Sequence, residues 1–67
     1  MLLSVIVPCF NEEAVLRSTH KRLTDVLREM NHLRFEIIYV DDGSRDQTQN
    51  VLAELQAQSS EVRVLRL

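Results

Sequence analysis

Asp41 and Asp42 adjoin in "YVDDGS" (39–44), directly after the apolar run "FEIIYV" and directly before the one glycine of the chain, Gly43. Paired carboxylates where a strand surfaces can hold a metal ion, accept hydrogen bonds from a nucleotide, act as acid or base, or start a helix, near whose N-terminus acids are favoured. A second group of reactive side chains stands in "PCFNEE" (8–13), again directly after an apolar run: the Phe10 ring, the Asn11 amide and the Glu12 and Glu13 carboxylates, with the Cys9 thiol. An aromatic face beside hydrogen-bond acceptors suits stacking on a base and accepting from its N–H groups or from ribose hydroxyls. Adjacent acids on a strand end point to opposite sides, which argues against a metal site made of Asp41 and Asp42 alone.

Several chemistries are excluded. With one glycine there is neither G-x-G-x-x-G nor G-x-x-x-x-G-K-[ST], so dinucleotide and P-loop phosphate cradles are absent. No nucleophile elbow or Ser-His-Asp order is present. Cys9, His20 and His32 do not form a zinc-ligand spacing. Cys9 has no neighbouring base to activate it, and His20, among "RSTHKR", reads as a solvated face residue. Acidic loops repel phosphates unless a cation intervenes, so these two loops suit the nucleoside end of a ligand. The net charge of −2 gives no electrostatic footprint for nucleic acid.

The elements that must position these groups alternate in period. Leu2–Val7 is an unbroken, β-branched apolar run stopped by Pro8, as expected for a strand buried on both faces of a parallel sheet. In "NEEAVLRSTHKRLTDVLREMNHL" the period changes to that of a helix, with Leu16, Leu23, Val26, Leu27 and Met30 on the apolar stripe. Asn11 is expected as its N-cap, with Glu12 and Glu13 in the first turn. "FEIIYV" is a second strand, "TQNVLAELQAQ" a second helix with Val51, Leu52 and Leu55 inward, and "EVRVLRL" a third strand. Ser44 with Gln47, or Asp46 with Gln49, would make a capping box for the second helix. The order β-α-β-α-β with short loops predicts parallel strands and right-handed crossovers, half of a doubly wound α/β sheet. Ligands of such sheets bind beyond the carboxyl ends of the strands, where both loops emerge. At 67 residues, 45% apolar and 27% charged, the chain is expected to be a single partial domain over 1–67, the N-terminal piece of something longer.

"VIVPCFNEEAVL" followed by "IIYVDDGSRDQTQNVL" resembles the opening of family 2 glycosyltransferases with the Rossmann-like GT-A fold. Within that family the chain is most similar to polyprenyl-phosphate sugar transferases, the dolichyl-phosphate mannose and bactoprenol-phosphate glucose synthases. The resemblance covers essentially the whole chain. It implies a nucleotide-binding set of Pro8, Phe10, Asn11, Glu12, Val40, Asp41, Asp42 and Gly43, with Pro8, Phe10 and Glu12 lining the base and ribose pocket. Asp42 would accept from a base N–H, and Asp41 would shape the turn. Phe10 stands where tyrosine is commoner, keeping the stacking face without the hydroxyl. The implied donor is a UDP- or GDP-sugar such as UDP-glucose or GDP-mannose. The implied acceptor is a lipid phosphate, or another acceptor whose hydroxyl a base deprotonates. The implied location is cytoplasmic, at the cytoplasmic face of the membrane if the full-length protein has C-terminal membrane helices. A divalent cation, Mg²⁺ or Mn²⁺, is implied for the full-length protein through a D-x-D motif that 1–67 lacks, so no catalytic or metal-binding residue is assigned here. The isolated chain is expected to have no transferase turnover.

Two other classes stand beside this one. An Asp-based phosphotransfer domain also places acids at strand ends, but its nucleophile is expected near the first strand or in D-x-D-G-T. A non-catalytic module would instead self-associate through an open strand edge.

Overall fold

The computed structural model describes residues 2–30 and 32–67; Met1, and Asn31 within the first expected helical stretch, lie outside the described residues. The expected order is observed: β1 (Leu2–Cys9), α1 (Leu16–Arg28), β2 (Arg34–Asp41), α2 (Thr48–Gln58) and β3 (Val62–Arg66). The three strands are parallel in the order β1-β2-β3. Both crossovers step the same way across the sheet, and right-handed connections of that kind place both helices on one face. That is the arrangement here, since Leu16 and Leu27 of α1 and Val51, Leu52 and Leu55 of α2 share one core with Ile37 and Tyr39 of β2 and Val62 of β3. Each fully buried aliphatic side chain of this kind contributes about 1.5–3 kcal/mol.

Strand alternation sorts the sheet into two faces. In β2, Ile37, Tyr39 and Asp41 are buried under the helices, while Arg34, Ile38 and Val40 alternate with them toward the other face. Register extends this split to β1, where Val5 lies beside Ile37, Val7 beside Tyr39 and Cys9 beside Asp41. The expectation that β1 is buried on both faces is not met. Leu2 is exposed and Ile6 is 66% exposed because no described element covers the face opposite the helices, and Leu3, on the helix side, is exposed at the start of an edge strand.

The helices differ from expectation in their details. α2 spans the expected residues, with Val51, Leu52 and Leu55 buried. α1 starts at Leu16 rather than after Asn11, and it has no side-chain cap and no acid in its first turn. Residues 12–15 form a separate turn, in which the Val15 and Leu16 N–H groups both donate to the Glu12 carbonyl. Val26 and Met30, expected inward, are exposed, and the buried stripe is Leu16, His20, Thr24 and Leu27. The i, i+4, i+8 spacing of that stripe was hidden in the sequence because two of its members are polar.

His20 is therefore not a solvated residue. Its Nδ1 lies 2.6 Å from the Tyr39 hydroxyl, which ties α1 to the central strand beneath it. Burial pushes the Tyr39 phenol up to about 12, so it stays protonated and can donate to a neutral imidazole. The His20 pKa is held below 6.5, first by burial and then by the Arg28 charge, with Glu61 opposing. A histidine whose folded pKa is depressed contributes stability that is complete above its unfolded pKa and is lost as pH falls toward the folded one. The melting temperature is accordingly expected to fall between pH 7 and pH 5.5, and His20→Gln, which keeps a polar partner for Tyr39, should flatten that slope. An unchanged slope in the variant would contradict the assignment.

Candidate functional site

The site is built where β1 and β2 end side by side. Pro8 pairs with Val40 and Cys9 with Asp41, so the loop after each strand leaves the sheet at the same level. The Asp42 N–H extends the ladder by donating to the Cys9 carbonyl at 3.0 Å. Alternation then separates the two carboxylates: Asp41 falls on the helix-covered face with no exposed surface, whereas Asp42 is exposed. Gly43 has φ +73°, and nothing lies within 4 Å of where its Cβ would stand. The left-handed backbone, not crowding, is what calls for glycine there.

The Asp41 carboxylate is consumed by its own turn. Its Oδ1 accepts from the Ser44 N–H at 3.3 Å and from the Ser44 hydroxyl. Its Oδ2 is buried with no hydrogen-bond partner among the described residues. With one carboxylate shut inside the sheet and the other facing outward, Asp41 and Asp42 do not converge on a common point. They do not fit a divalent cation as a pair. Among the described residues, no group of three His, Cys, Asp or Glu side chains is gathered closely enough to hold a metal ion.

The two loops are stitched together by backbone donors that the sequence reading had assigned elsewhere. The Asn11 N–H donates to Ser44 Oγ at 3.0 Å, and Asn11 Oδ1 accepts from the Arg45 N–H at 2.8 Å. The Glu12 N–H donates to Thr48 Oγ1 at 2.7 Å, and the Glu13 N–H to Asp46 Oδ2 at 3.4 Å. Asn11 is thus no helix cap. It sits at φ 50°, a left-handed conformation that asparagine tolerates better than most residues, and it braces the neighbouring loop. Glu12 and Glu13 likewise donate their backbone N–H groups to the inter-loop contact, and neither lies in the first turn of α1, although the Glu12 carbonyl accepts from the Leu16 N–H that opens the helix. Neither expected capping box forms: Asp46 Oδ1 takes the Thr48 N–H at 2.9 Å, and the Gln49 amide reaches only the Ser44 carbonyl.

Of the sequence-assigned residues, Pro8, Phe10, Asn11, Glu12, Val40, Asp42 and Gly43 are brought to one rim, while Asp41 lies beneath it. Phe10 is 55% exposed, a large aromatic surface one residue after Cys9, whose carbonyl takes the N–H of the exposed Asp42. Sequence reasoning missed Thr48 as a brace. Its signal in the sequence was the i, i+3, i+4, i+7 spacing that puts Thr48 on the stripe of Val51, Leu52 and Leu55, and in the fold it has no exposed surface. Cys9 is buried, and its thiol is pushed up to about 11 by burial and then by the charges of Glu12 and Asp41, so it is a poor nucleophile. Two hollows lie away from the rim. One, between the helices, is lined by Arg17, His20, Lys21 and Glu54, but Arg17 is paired with Glu54 and Lys21 with Asp25. The other is at the opposite end of the strands, around Leu33, Arg34 and Glu61.

A parallel three-stranded sheet with two crossover helices and both first loops at its carboxyl edge defines half of a Rossmann-like α/β domain. The sequence profile described as Glycosyl transferase family 2 matches residues 4–67, and the chain belongs to that family. It is 35% identical over 71 residues to an uncharacterized glycosyltransferase of Bacillus subtilis, YkoT, covering 98% of this chain and 21% of the relative. It is 43% identical over 49 residues to an undecaprenyl-phosphate 4-deoxy-4-formamido-L-arabinose transferase of Pseudomonas fluorescens, covering 73% of this chain and 14% of the relative. An uncharacterized glycosyltransferase of Synechocystis is 34% identical across 97% of the chain, which spans 20% of it. The chain therefore spans about a fifth or less of these relatives.

The structural role of Asp41 is open to test by urea unfolding. Asp41→Ala strands the Ser44 N–H and hydroxyl inside the fold and is expected to cost about 1–3 kcal/mol. Asp41→Asn keeps the Oδ1 acceptor and should recover most of that loss. Equal losses in both variants would show that the charge, and not the acceptor geometry, is what the turn requires.

Proposed function

We propose that residues 1–67 form the nucleoside end of the donor site of an inverting glycosyltransferase, which transfers a sugar from a UDP- or GDP-sugar to a polyprenyl phosphate. The observation that carries the reading is the separation of the two aspartates. Asp41 is spent on the turn, which leaves Asp42 as the exposed acceptor of the pair, on the same rim of a family 2 domain as the exposed Phe10 ring. A base stacked on Phe10 would donate its ring N–H to Asp42, and Glu12 stands on the same rim to meet ribose hydroxyls. An acidic rim disfavours the diphosphate itself. In this reading the phosphates, and the divalent cation that neutralises them, are held by residues outside 1–67.

The lipid acceptor rests on relatives named as undecaprenyl-phosphate transferases. No described helix is long and apolar enough to cross a membrane. In this reading the acceptor is met at the cytoplasmic membrane surface. The reaction is a displacement at the anomeric carbon. An acceptor phosphate oxygen forms the new C–O bond, the bond to the nucleoside diphosphate breaks, and its electron pair leaves with the diphosphate. Residues 1–67 bind and orient the nucleoside and supply no catalytic group to that step.

Amide spectra of the full chain titrated with UDP-glucose and with GDP-mannose test this. One of the two is expected to shift the amide signals of residues 9–12 and 40–46, Pro8 having no N–H. Shifts confined to α2, or none at millimolar nucleotide, would refute the reading.

A further inference from the structure

Ser44 has a hydroxyl that helix capping does not use. α2 begins at Thr48, and the Thr48 N–H is taken by Asp46. The Ser44 hydroxyl is instead the middle of a three-residue chain. A carboxylate only accepts, so the Ser44 O–H must donate to Asp41 Oδ1. That leaves the lone pairs of Ser44 Oγ for the Asn11 N–H, 3.0 Å away on the other loop. Asn11 N belongs to the peptide plane that also contains the Phe10 carbonyl and the Phe10 Cα. Fixing that N–H therefore fixes the orientation of the plane from which the Phe10 side chain departs. The return bond, from the Arg45 N–H to Asn11 Oδ1, closes the contact from the other side. Ser44 is nearly buried, at 9% exposure, while Asn11 and Phe10 are exposed, so the anchor lies inside and the surface it orients lies outside.

We propose that Ser44 is a positioning residue for the nucleoside shelf, its hydroxyl aimed by the buried Asp41 carboxylate so that it holds the Phe10–Asn11 peptide, and with it the Phe10 ring, at a set distance from Asp42. The proposal rests on the reading of the rim as a nucleoside shelf only for its consequence in binding. The hydrogen bond itself is tested without ligand. It also extends the site past the residues that touch the base, since Ser44 acts on the ligand through another residue's backbone.

The experiment is amide hydrogen exchange on the full chain, with nucleotide affinity measured on the same samples. In the wild-type chain the Asn11 amide, although in an exposed residue, is expected to be protected. Ser44→Ala and Ser44→Cys, the second filling the same space with a weak acceptor, are each expected to raise its exchange rate at least about tenfold. Core amides such as those of Ile37 and Leu52 report the global stability lost with the Asp41 partner, and the Asn11 rate should rise by clearly more than theirs. Ser44→Thr, which keeps a hydroxyl, should restore protection. The dissociation constant for UDP or GDP is expected to rise several-fold in the Ala and Cys variants and to return toward wild type in Ser44→Thr. An unprotected Asn11 amide in the wild-type chain, or exchange unchanged in the Ala and Cys variants, overturns the proposal, and the first of these readings needs no variant to fold. A wild-type chain that binds no nucleotide overturns the shelf reading instead, while Asn11 exchange still decides the role of Ser44.

Discussion

A carboxylate buried at the end of the central strand has to be satisfied locally, and the turn that follows it is shaped by that need. Asp41 has no exposed surface, and its hydrogen-bond donors are the N–H and the hydroxyl of Ser44, three residues on. Burying a charge without partners costs more than a small domain can spare, so the chain must fold back at Gly43 to deliver them. The left-handed Gly43 backbone makes that reversal possible. Once Ser44 is held, its oxygen reaches the loop after β1, and the two loops become one surface. One oxygen of Asp41 has no partner among the described residues, so the arrangement is tuned to Ser44 and not to the carboxylate as a whole.

The same two-residue period that buries Asp41 exposes Asp42. Pro8 and Val40 are register partners, as are Cys9 and Asp41, so alternation divides the rim into a helix-side pair that is structural and an outward set that is available to a ligand. Two adjacent acids of identical chemistry are given different tasks by geometry alone. The cross-loop bonds from Asn11, Glu12 and Glu13 then limit how far the outward set can move.

The sequence made the element order, the parallel sheet and the α2 boundaries legible, because long apolar runs and a clean change of period carry that information. The opposed placement of Asp41 and Asp42 was also readable, since alternation on a strand end is a local rule. Three features were not. The start of α1 was misplaced because Asn11, Glu12 and Glu13 look like a cap and a first turn. Their backbone donors are instead claimed by Ser44, Thr48 and Asp46, contacts across more than thirty residues that no local rule anticipates. His20 looked solvated among charged neighbours, yet a hydroxyl from Tyr39 makes its burial affordable. β1 looked buried on both faces from its composition, but burial depends on what lies opposite, and no described element covers that face.

The central claim is that Asp42, and not Asp41, meets the ligand. Calorimetric titration of UDP and GDP into Asp42→Ala, with thermal unfolding measured on the same sample, tests it most directly. Loss of a hydrogen bond to a charged acceptor, about 1.5–3 kcal/mol, corresponds to a rise of roughly ten- to hundredfold in the dissociation constant. The account predicts that loss with the melting temperature unchanged. Affinity equal to wild type, or affinity lost only together with the fold, would contradict it.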